Sequence, residues 1–346
     1  MNRRFFTRNL ALGTAIPYLL NGQKSNRRHE RLALLKPARL NRGDLVALIT
    51  PGSYIPDAGL EKAVKNLEDL GLRVATGKNV RAKYGFVAGT DSQRLEDLHA
   101  AFANPEVKAV WCARGGYGCT RLLPYIDYHL IRKNPKVFIG YSDITALHLA
   151  FLQKTGLVGF HGPVAQSSFT PYTLEHFVAV VMEGQATHTI PLAEAYANPE
   201  DSLYKFSTLR KGRVQGELVG GNLSLLAAMA GTEFGLDARN KLIFMEDIEE
   251  KPYRVDRMLT QLRQSAHLHQ AAGFALGIFA GCGPEEGDDS LTLQETIIDR
   301  LADTNVPAVY GLSFGHISHQ CTLPMGVMAE LDTEAQTIRL LESAVR

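Results

Sequence analysis

Ser142 lies in the run Gly140-Tyr-Ser-Asp-Ile-Thr145, where a hydrophobic strand passes abruptly into a helix. Such a turn projects a hydroxyl from the carboxyl end of a sheet and aims the first N–H groups of the helix at the same place, so a nucleophile and an oxyanion donor arise together. The shape is that of a nucleophile elbow without its second glycine, since position 144 is Ile. The plain alternative is a serine that only caps the helix. A serine nucleophile needs a base, and the base needs an orienting carboxylate. Among the 11 histidines, His316 in Ser313-Phe-Gly-His-Ile317 follows a strand ending at Tyr310-Gly311 and sits beside glycine, where it can reach a cleft. Glu246 ends the apolar run Leu242-Ile-Phe-Met245. A carboxylate there is costly unless something polar meets it, so it is either the orienter or one end of a salt bridge to Arg254 or Arg257. The order Ser142, Glu246, His316 is a legitimate triad order. His319 could pair with His316 around a metal, but a Gly-rich loop gives no defined ligand face, and no metal site is expected.

A second candidate is the loop Ala113-Arg-Gly-Gly-Tyr-Gly118, after the strand that holds Trp111. Its glycines let the backbone approach a ligand and leave N–H groups free, which suits an oxyanion hole. A phosphate cradle is the rival, although the Gly-Lys-Ser/Thr ending is missing. A tight turn with Arg114 in a structural salt bridge is the plain reading.

The elements that must position these residues alternate from Asp44 onward between short β-rich runs and helical patterns, which argues for α/β layers and a largely parallel sheet. Strands are expected over 45–50, 109–113 and 137–141. Leu60, Ala63, Val64, Leu67 and Leu70 recur at helical spacing until Gly71, and Thr90 with Gln93 predicts a capping box for a helix over 92–102. No GxGxxG marks a dinucleotide site. The pattern predicts an N-terminal domain over 43–184, an interdomain linker over 185–211 where polar residues, Pro191 and Pro199 blur the periodicity, and a C-terminal α/β domain over 212–346.

The chain has 346 residues, enough for two compact domains, and its 45% hydrophobic and 21% charged content excludes collagenous, disordered and coiled-coil classes. With 37 basic and 36 acidic residues the net charge is +1, so nothing draws it globally to nucleic acid or an anionic membrane. Cys112, Cys119, Cys282 and Cys321 form no CxxC pair; they read as core residues, one pair of which could oxidise outside the cytosol. Arg3, Arg4 and Arg8 precede an apolar run reaching Leu20, the order of an export signal, and Arg3-Arg4-x-Phe6 resembles a twin-arginine signal. Residues 1–21 are therefore expected to be an export signal, too short to span a bilayer, and 22–42 a basic linker. The alternative is a frayed basic N-terminal helix.

Six blocks carry a resemblance to a known family: Arg114-Gly-Gly-Tyr-Gly118, Gly140-Tyr-Ser-Asp143, His161-Gly-Pro163, Gly220-Gly-Asn-Leu223, Met245-Glu-Asp247 with Pro252-Tyr-Arg-Val-Asp-Arg257, and Phe314-Gly-His316 with Leu323-Pro-Met-Gly326. In this order they resemble the signature blocks of the LD-carboxypeptidases, serine peptidases that trim murein tetrapeptides and are close relatives of the microcin-immunity peptidases. The resemblance runs from about Gly43 to Leu341. It implies a Rossmann-like N-terminal domain and a smaller C-terminal α/β domain with the active site between them, usually in a homodimer. It further implies Ser142 as nucleophile, His316 as general base and acid, Glu246 as orienter, and the backbone N–H groups of Gly116 and Asp143 as the oxyanion hole. His161, Asn222 and Arg254 become expected cleft or support residues, and Arg114 the sensor of a terminal carboxylate. No cofactor is expected. The loop Ile317-Ser-His-Gln-Cys321 departs from the family pattern, which bears on substrate preference more than on catalysis. The other readings are an immunity-type peptidase that cleaves a peptidyl-nucleotide or related amide, and a non-catalytic muropeptide-binding protein; a nucleotide-binding regulator lacks its phosphate motif. The basic head favours a periplasmic location, against a cytoplasmic one.

Overall fold

The computed structural model describes residues 32–197 and 199–346, and these form one compact unit. The export signal read over 1–21 and the start of the 22–42 linker lie outside the described residues.

The first half winds strand and helix alternately. The apolar run β1 (Leu45–Ile49) is followed by α1 (Asp57–Asp69), which buries Leu60, Ala63 and Leu67 and ends at Gly71 with φ 79°. After β2 (Arg73–Thr76), α2 (Asp91–Ala103) opens with the expected capping box: the Thr90 hydroxyl accepts from Gln93 N, and the Gln93 side chain accepts from Thr90 N. This satisfies two of the amides that a helix start leaves unpaired. There follow β3 (Val107–Cys112), α3 (Tyr128–Lys133), β4 (Val137–Gly140), a short 3-10 turn over 142–144, α4 (Thr145–Thr155) and β5 (Phe160–His161). Helix α4 buries nearly every side chain, because it lies between the two sheets rather than on a solvent face. Its left-handed stop is Gly156, φ 78°.

The stretch 185–211, read from sequence as a linker, is more than a crossing. Beyond α5 (Pro171–Phe177) it supplies β6 (His188–Ile190) and β7 (Ser207–Arg210), the two outermost strands of the second sheet. Short edge strands with polar, half-exposed residues carry too little alternation to stand out in a sequence. The second half continues through β8 (Arg213–Asn222), α6 (Leu223–Ala228), β9 (Lys241–Ile248), α7 (Pro252–Ser265), β10 (Gly273–Ala280), α8 (Leu293–Leu301), β11 (Ala308–Gly315), β12 (Leu323–Pro324), β13 (Met328–Asp332) and β14 (Thr337–Leu340).

Two sheets result. One runs β12-β5-β4-β3-β1-β2, parallel from β2 to β5; the other runs β6-β14-β13-β8-β9-β10-β11-β7, with β8 to β11 parallel at its centre. The chain returns once: β12, which follows β11 of the second sheet, pairs antiparallel with β5 of the first. The segment between Gly315 and Leu323 therefore bridges the sheets. Glycines let them meet closely. A Cβ on Gly221, whose φ is 139°, would stand 2.5 Å from the side chain of Thr145 at the start of α4, the helix between them. The four cysteines are free and buried, as core residues would be. Among the described residues no helix is long and apolar enough to cross a membrane.

Candidate active site

At the carboxyl end of β4 the chain turns so sharply that Ser142 takes φ 64°, a left-handed conformation that costs a non-glycine residue about 1–2 kcal/mol. Gly140 makes the turn feasible, since a Cβ there would press on Ile144 Cγ1 at 2.9 Å. Ser142 makes no side-chain cap bond; the helical turn starts from an extended Tyr141. The capping alternative is thus set aside: the hydroxyl points out of the turn. It meets His316, whose Nε2 is 3.1 Å from Ser142 Oγ.

His316 is delivered by a distortion of β11. The β10–β11 register slips at Gly277 and Ile278, and Gly315 adopts φ 118° with room for no Cβ: one there would lie 2.7 Å from Ile278 O and 3.1 Å from Glu246 Cβ. Such a bulge re-aims the side chain that follows it. His316 Nδ1 then lies 2.7 Å from Glu246 Oε2. Glu246 occupies the interior of β9, opposite Asn222 of β8, and is fully buried. It pairs with the histidine and not with Arg254 or Arg257, which settles the choice left open by the sequence. Arg254 is exposed on α7 beside Glu250 and Tyr253.

Electrostatics follow from burial opposed by pairing. Burial pushes the Glu246 carboxyl up, but the charge and hydrogen bond of His316 outweigh it and leave the group below the usual carboxylate range. For His316 burial acts downward, and Glu246, by charge and hydrogen bond, more than reverses it, so the imidazole holds its proton above the ordinary histidine range. Asp247 next door is raised to about 6, first by burial and then by the Glu246 charge. Its carboxylate accepts from Asn222 Nδ2 (3.0 Å), Ser224 N (2.9 Å) and Ser224 Oγ (2.8 Å). Asn222 also caps α6 through Leu225 N, and its own N–H donates to Thr145 Oγ1 at 3.0 Å. It is a joint between the sheets rather than a cleft residue.

The glycine-rich loop packs against the nucleophile. A Cβ on Gly115 would stand 3.0 Å from Ser142 Cβ, whereas one on Gly116 (φ 101°) would strike Ser53 Oγ at 2.3 Å, so Gly115 abuts the serine and Gly116 turns the chain around Ser53. The loop is fastened at several points. Ser53 N donates to Gly115 O and Tyr117 N to Ser53 Oγ, both at 3.1 Å; Cys119 N donates to Asp143 Oδ2 at 2.9 Å. Arg94 Nη1 donates to Pro51 O (2.6 Å) and Gly118 O (2.9 Å). The Asp143 carboxyl is buried, which raises it, while the Cys119 contacts and the Arg94 charge oppose the rise. Among the described residues Arg114 forms no salt bridge. Its Nη1 donates to Tyr54 O at 3.1 Å and its buried Nε has no partner.

His161 is brought beneath the site and is 1% exposed, so it does not line a cleft. His319 contacts Ser318 Oγ and the Tyr196 ring, and among the described residues no group of three metal-ligating side chains exists. Sequence reasoning passed over Gly115, Arg94 and His148. The last is fully buried, held neutral with its pKa lowered to about 3 by burial, and lies with Nε2 2.8 Å from Gly140 O under the turn. His148 is an isolated polar residue on α4, whereas Arg94 stands among other polar residues at the start of α2, and nothing in the periodicity marks either one for burial. Gly115 stood inside the glycine-rich block, where only the packing tells one glycine from the next.

A strained serine at a sheet's edge, relayed through histidine to a buried carboxylate, on two α/β sheets, defines a serine hydrolase of the peptidase kind. The chain belongs to the LD-carboxypeptidase family: residues 46–162 match the LD-carboxypeptidase N-terminal domain and residues 215–331 the C-terminal domain. It is 42% identical over 307 residues to a probable murein peptide carboxypeptidase of Bacillus subtilis, covering 87% of this chain and 93% of that one. It is 38% identical over 291 residues to the murein tetrapeptide carboxypeptidase of Pseudomonas aeruginosa, covering 83% and 92%. The structure superposes on the muramoyltetrapeptide carboxypeptidase of Oxalobacter formigenes with a TM-score of 0.73 at 34% identity, over 86% of this chain and 97% of that one. It shares its fold with MccF bound to glutamyl sulfamoyl guanosine, TM-score 0.82 at 24% identity, over 90% and 100%.

Proposed function

We propose that this protein hydrolyses the L,D-peptide bond before the terminal D-Ala of murein tetrapeptides, through an acyl-enzyme on Ser142. The observation that carries the reading is the continuous relay from Ser142 Oγ through His316 to the buried Glu246, at 3.1 and 2.7 Å, in a chain whose relatives include a probable murein peptide carboxypeptidase and a murein tetrapeptide carboxypeptidase. His316 takes the Ser142 proton as the oxygen attacks the carbonyl carbon of the L-centred residue. The tetrahedral oxyanion is met by the N–H groups of Asp143 and of the Gly115-Gly116 turn. Collapse breaks the C–N bond, His316 returns its proton to the leaving D-Ala amine, and water then enters by the same base to free the shortened peptide and restore Ser142. Glu246 holds the imidazole in the tautomer that presents Nε2 to the serine and supports the imidazolium that forms. Arg114, half-buried on the glycine-rich loop and using Nη1 on the Tyr54 carbonyl, is the group suited to a terminal carboxylate. We read the Arg3-Arg4 head as an export address, which cell fractionation tests.

Incubating the purified protein with a disaccharide-tetrapeptide and the matching pentapeptide, beside Ser142→Ala, tests the reading by mass spectrometry. Loss of one D-Ala from the tetrapeptide alone, absent in the variant, is expected. A folded protein that leaves both untouched but cleaves an acyl-sulfamoyl amide would replace this reading with the immunity type. One that cleaves neither would leave a binding protein.

A further inference from the structure

His161 has no assigned work in the relay, yet its position is unusual. Its backbone pairs with Gly140, two residues before Ser142, and its ring lies 6.0 Å from Tyr141, 5.2 Å from Phe244 and 6.4 Å from Phe314. Tyr141 precedes Ser142; Phe244 and Phe314 stand two residues before Glu246 and His316. Residues two apart on a strand share a face, so the ring lies on the side toward which Glu246 projects from β9. Tyr141 in turn packs on the His316 ring at 4.9 Å. Aromatic packing alone would be served by phenylalanine. What a histidine adds is two nitrogens, and both are buried with no hydrogen-bond partner. A buried polar group left so is costly unless a charge or dipole faces it.

Among the other buried polar atoms without a partner, one belongs to the relay itself. Glu246 is fully buried, Oε2 is taken by His316, and Oε1 makes no hydrogen bond of its own; Asn222, whose Nδ2 donates to Asp247 at 3.0 Å, also helps to lower the Glu246 carboxyl. A carboxylate sealed from water keeps its charge only if dipoles or charges face it. We propose that His161 is a positioning residue whose single N–H faces the free oxygen of Glu246 and helps hold that carboxylate ionised for His316. This rests on the triad reading given above. The two groups stop short of a hydrogen bond, so the support is that of a dipole in a dry pocket, where it is weakly screened. The imidazole stays neutral and so does not compete for the charge: burial lowers its pKa to about 4, with Glu246 opposing and His316 adding to the fall. The ionisable groups around it are Glu246 from β9, His316 after β11, His148 from α4 and the Tyr141 phenol after β4. Of these Glu246 is the one held as an anion near neutrality, since burial lifts the Tyr141 phenol to about 12.

The test follows the rate at which a fluorophosphonate labels Ser142 across pH, a readout independent of which amide is the substrate. His161→Phe keeps the ring and removes the N–H; His161→Gln loses the ring and keeps a donor. Without the donor the Glu246 charge is less balanced and His316 binds its proton more tightly, so in the Phe variant the acidic limb should move about 0.5 pH upward, with labelling about 3-fold slower below it. The Gln variant should keep the wild-type limb. A Phe variant with an unmoved limb, or a Gln variant displaced as far as Phe, overturns the proposal. If the Phe variant does not fold, the Gln variant alone decides by whether its limb stays. A wild type not labelled at Ser142 overturns the nucleophile reading and this proposal with it, whereas a labelled wild type with an unmoved Phe limb overturns this proposal alone.

Discussion

The two sheets contribute to the site in different currencies. The carboxyl end of the first sheet supplies backbone geometry: a serine at φ 64°, a glycine against it, and a loop whose Gly118 carbonyl is fastened by Arg94 and whose Cys119 amide is fastened by Asp143. The second supplies charge, an ionised carboxylate inside a strand and a histidine swung onto it by a bulge. Strain and dipoles are set once the chain folds and barely change with pH, whereas a buried ion pair does. The nucleophile half should therefore fail through geometry, and the acid–base half through titration.

The largest effects separate the two halves by pH. Ser142→Ala should lower turnover about 10⁴-fold or more and leave no pH-dependent remnant. Glu246→Gln should lower it about 10³-fold and keep a limb. The sign of that limb is fixed: Glu246 raises the His316 pKa and burial lowers it, so removing the charge leaves burial alone and the acidic limb of kcat/KM moves down. A Gln variant whose limb rises would break the assignment of charge to the second sheet. Next in size, Gly315→Ala should cost more than Gly115→Ala. The first adds φ strain of about 1–3 kcal/mol to a 2.7 Å backbone clash, while the second only crowds Ser142 Cβ at 3.0 Å. Parallel kcat measurements and thermal melts of the pair check this order. The smallest effect lies at the joint. Thr145→Val removes the acceptor for Asn222 N and should destabilise by about 1 kcal/mol in denaturant titration, with kcat nearly unchanged.

Much of this was legible in the residues. The apolar runs and helical spacing gave β1, β3, β4 and β9, and the capping box over Thr90 and Gln93 appears as expected, because these are local signals with local causes. Ser142, Glu246 and His316 could be picked out one at a time, since each breaks the chemistry of its surroundings: a hydroxyl at a turn, a carboxylate in an apolar strand, a histidine among glycines. What could not be read was long-range. Edge strands β6 and β7 hide in 185–211 because their partners, β14 and β11, lie about a hundred residues or more away in sequence. His148 was invisible because its partner is a backbone carbonyl, which every sequence has; Arg94 has a local ion pair with Asp91, but the bonds that reach the glycine-rich loop again go to backbone carbonyls. Arg254 shows the reverse: it is carried by a matching block, yet it stands exposed beside Glu250.

The central claim is that Ser142 becomes acylated. Rapid quenching of the protein with a disaccharide-tetrapeptide, followed by intact-mass and peptide mapping, reads this directly. The account predicts a transient species heavier by the substrate minus D-Ala, mapped to Ser142. Release of D-Ala with no such species at any time, and with Ser142→Ala still turning over, would contradict it.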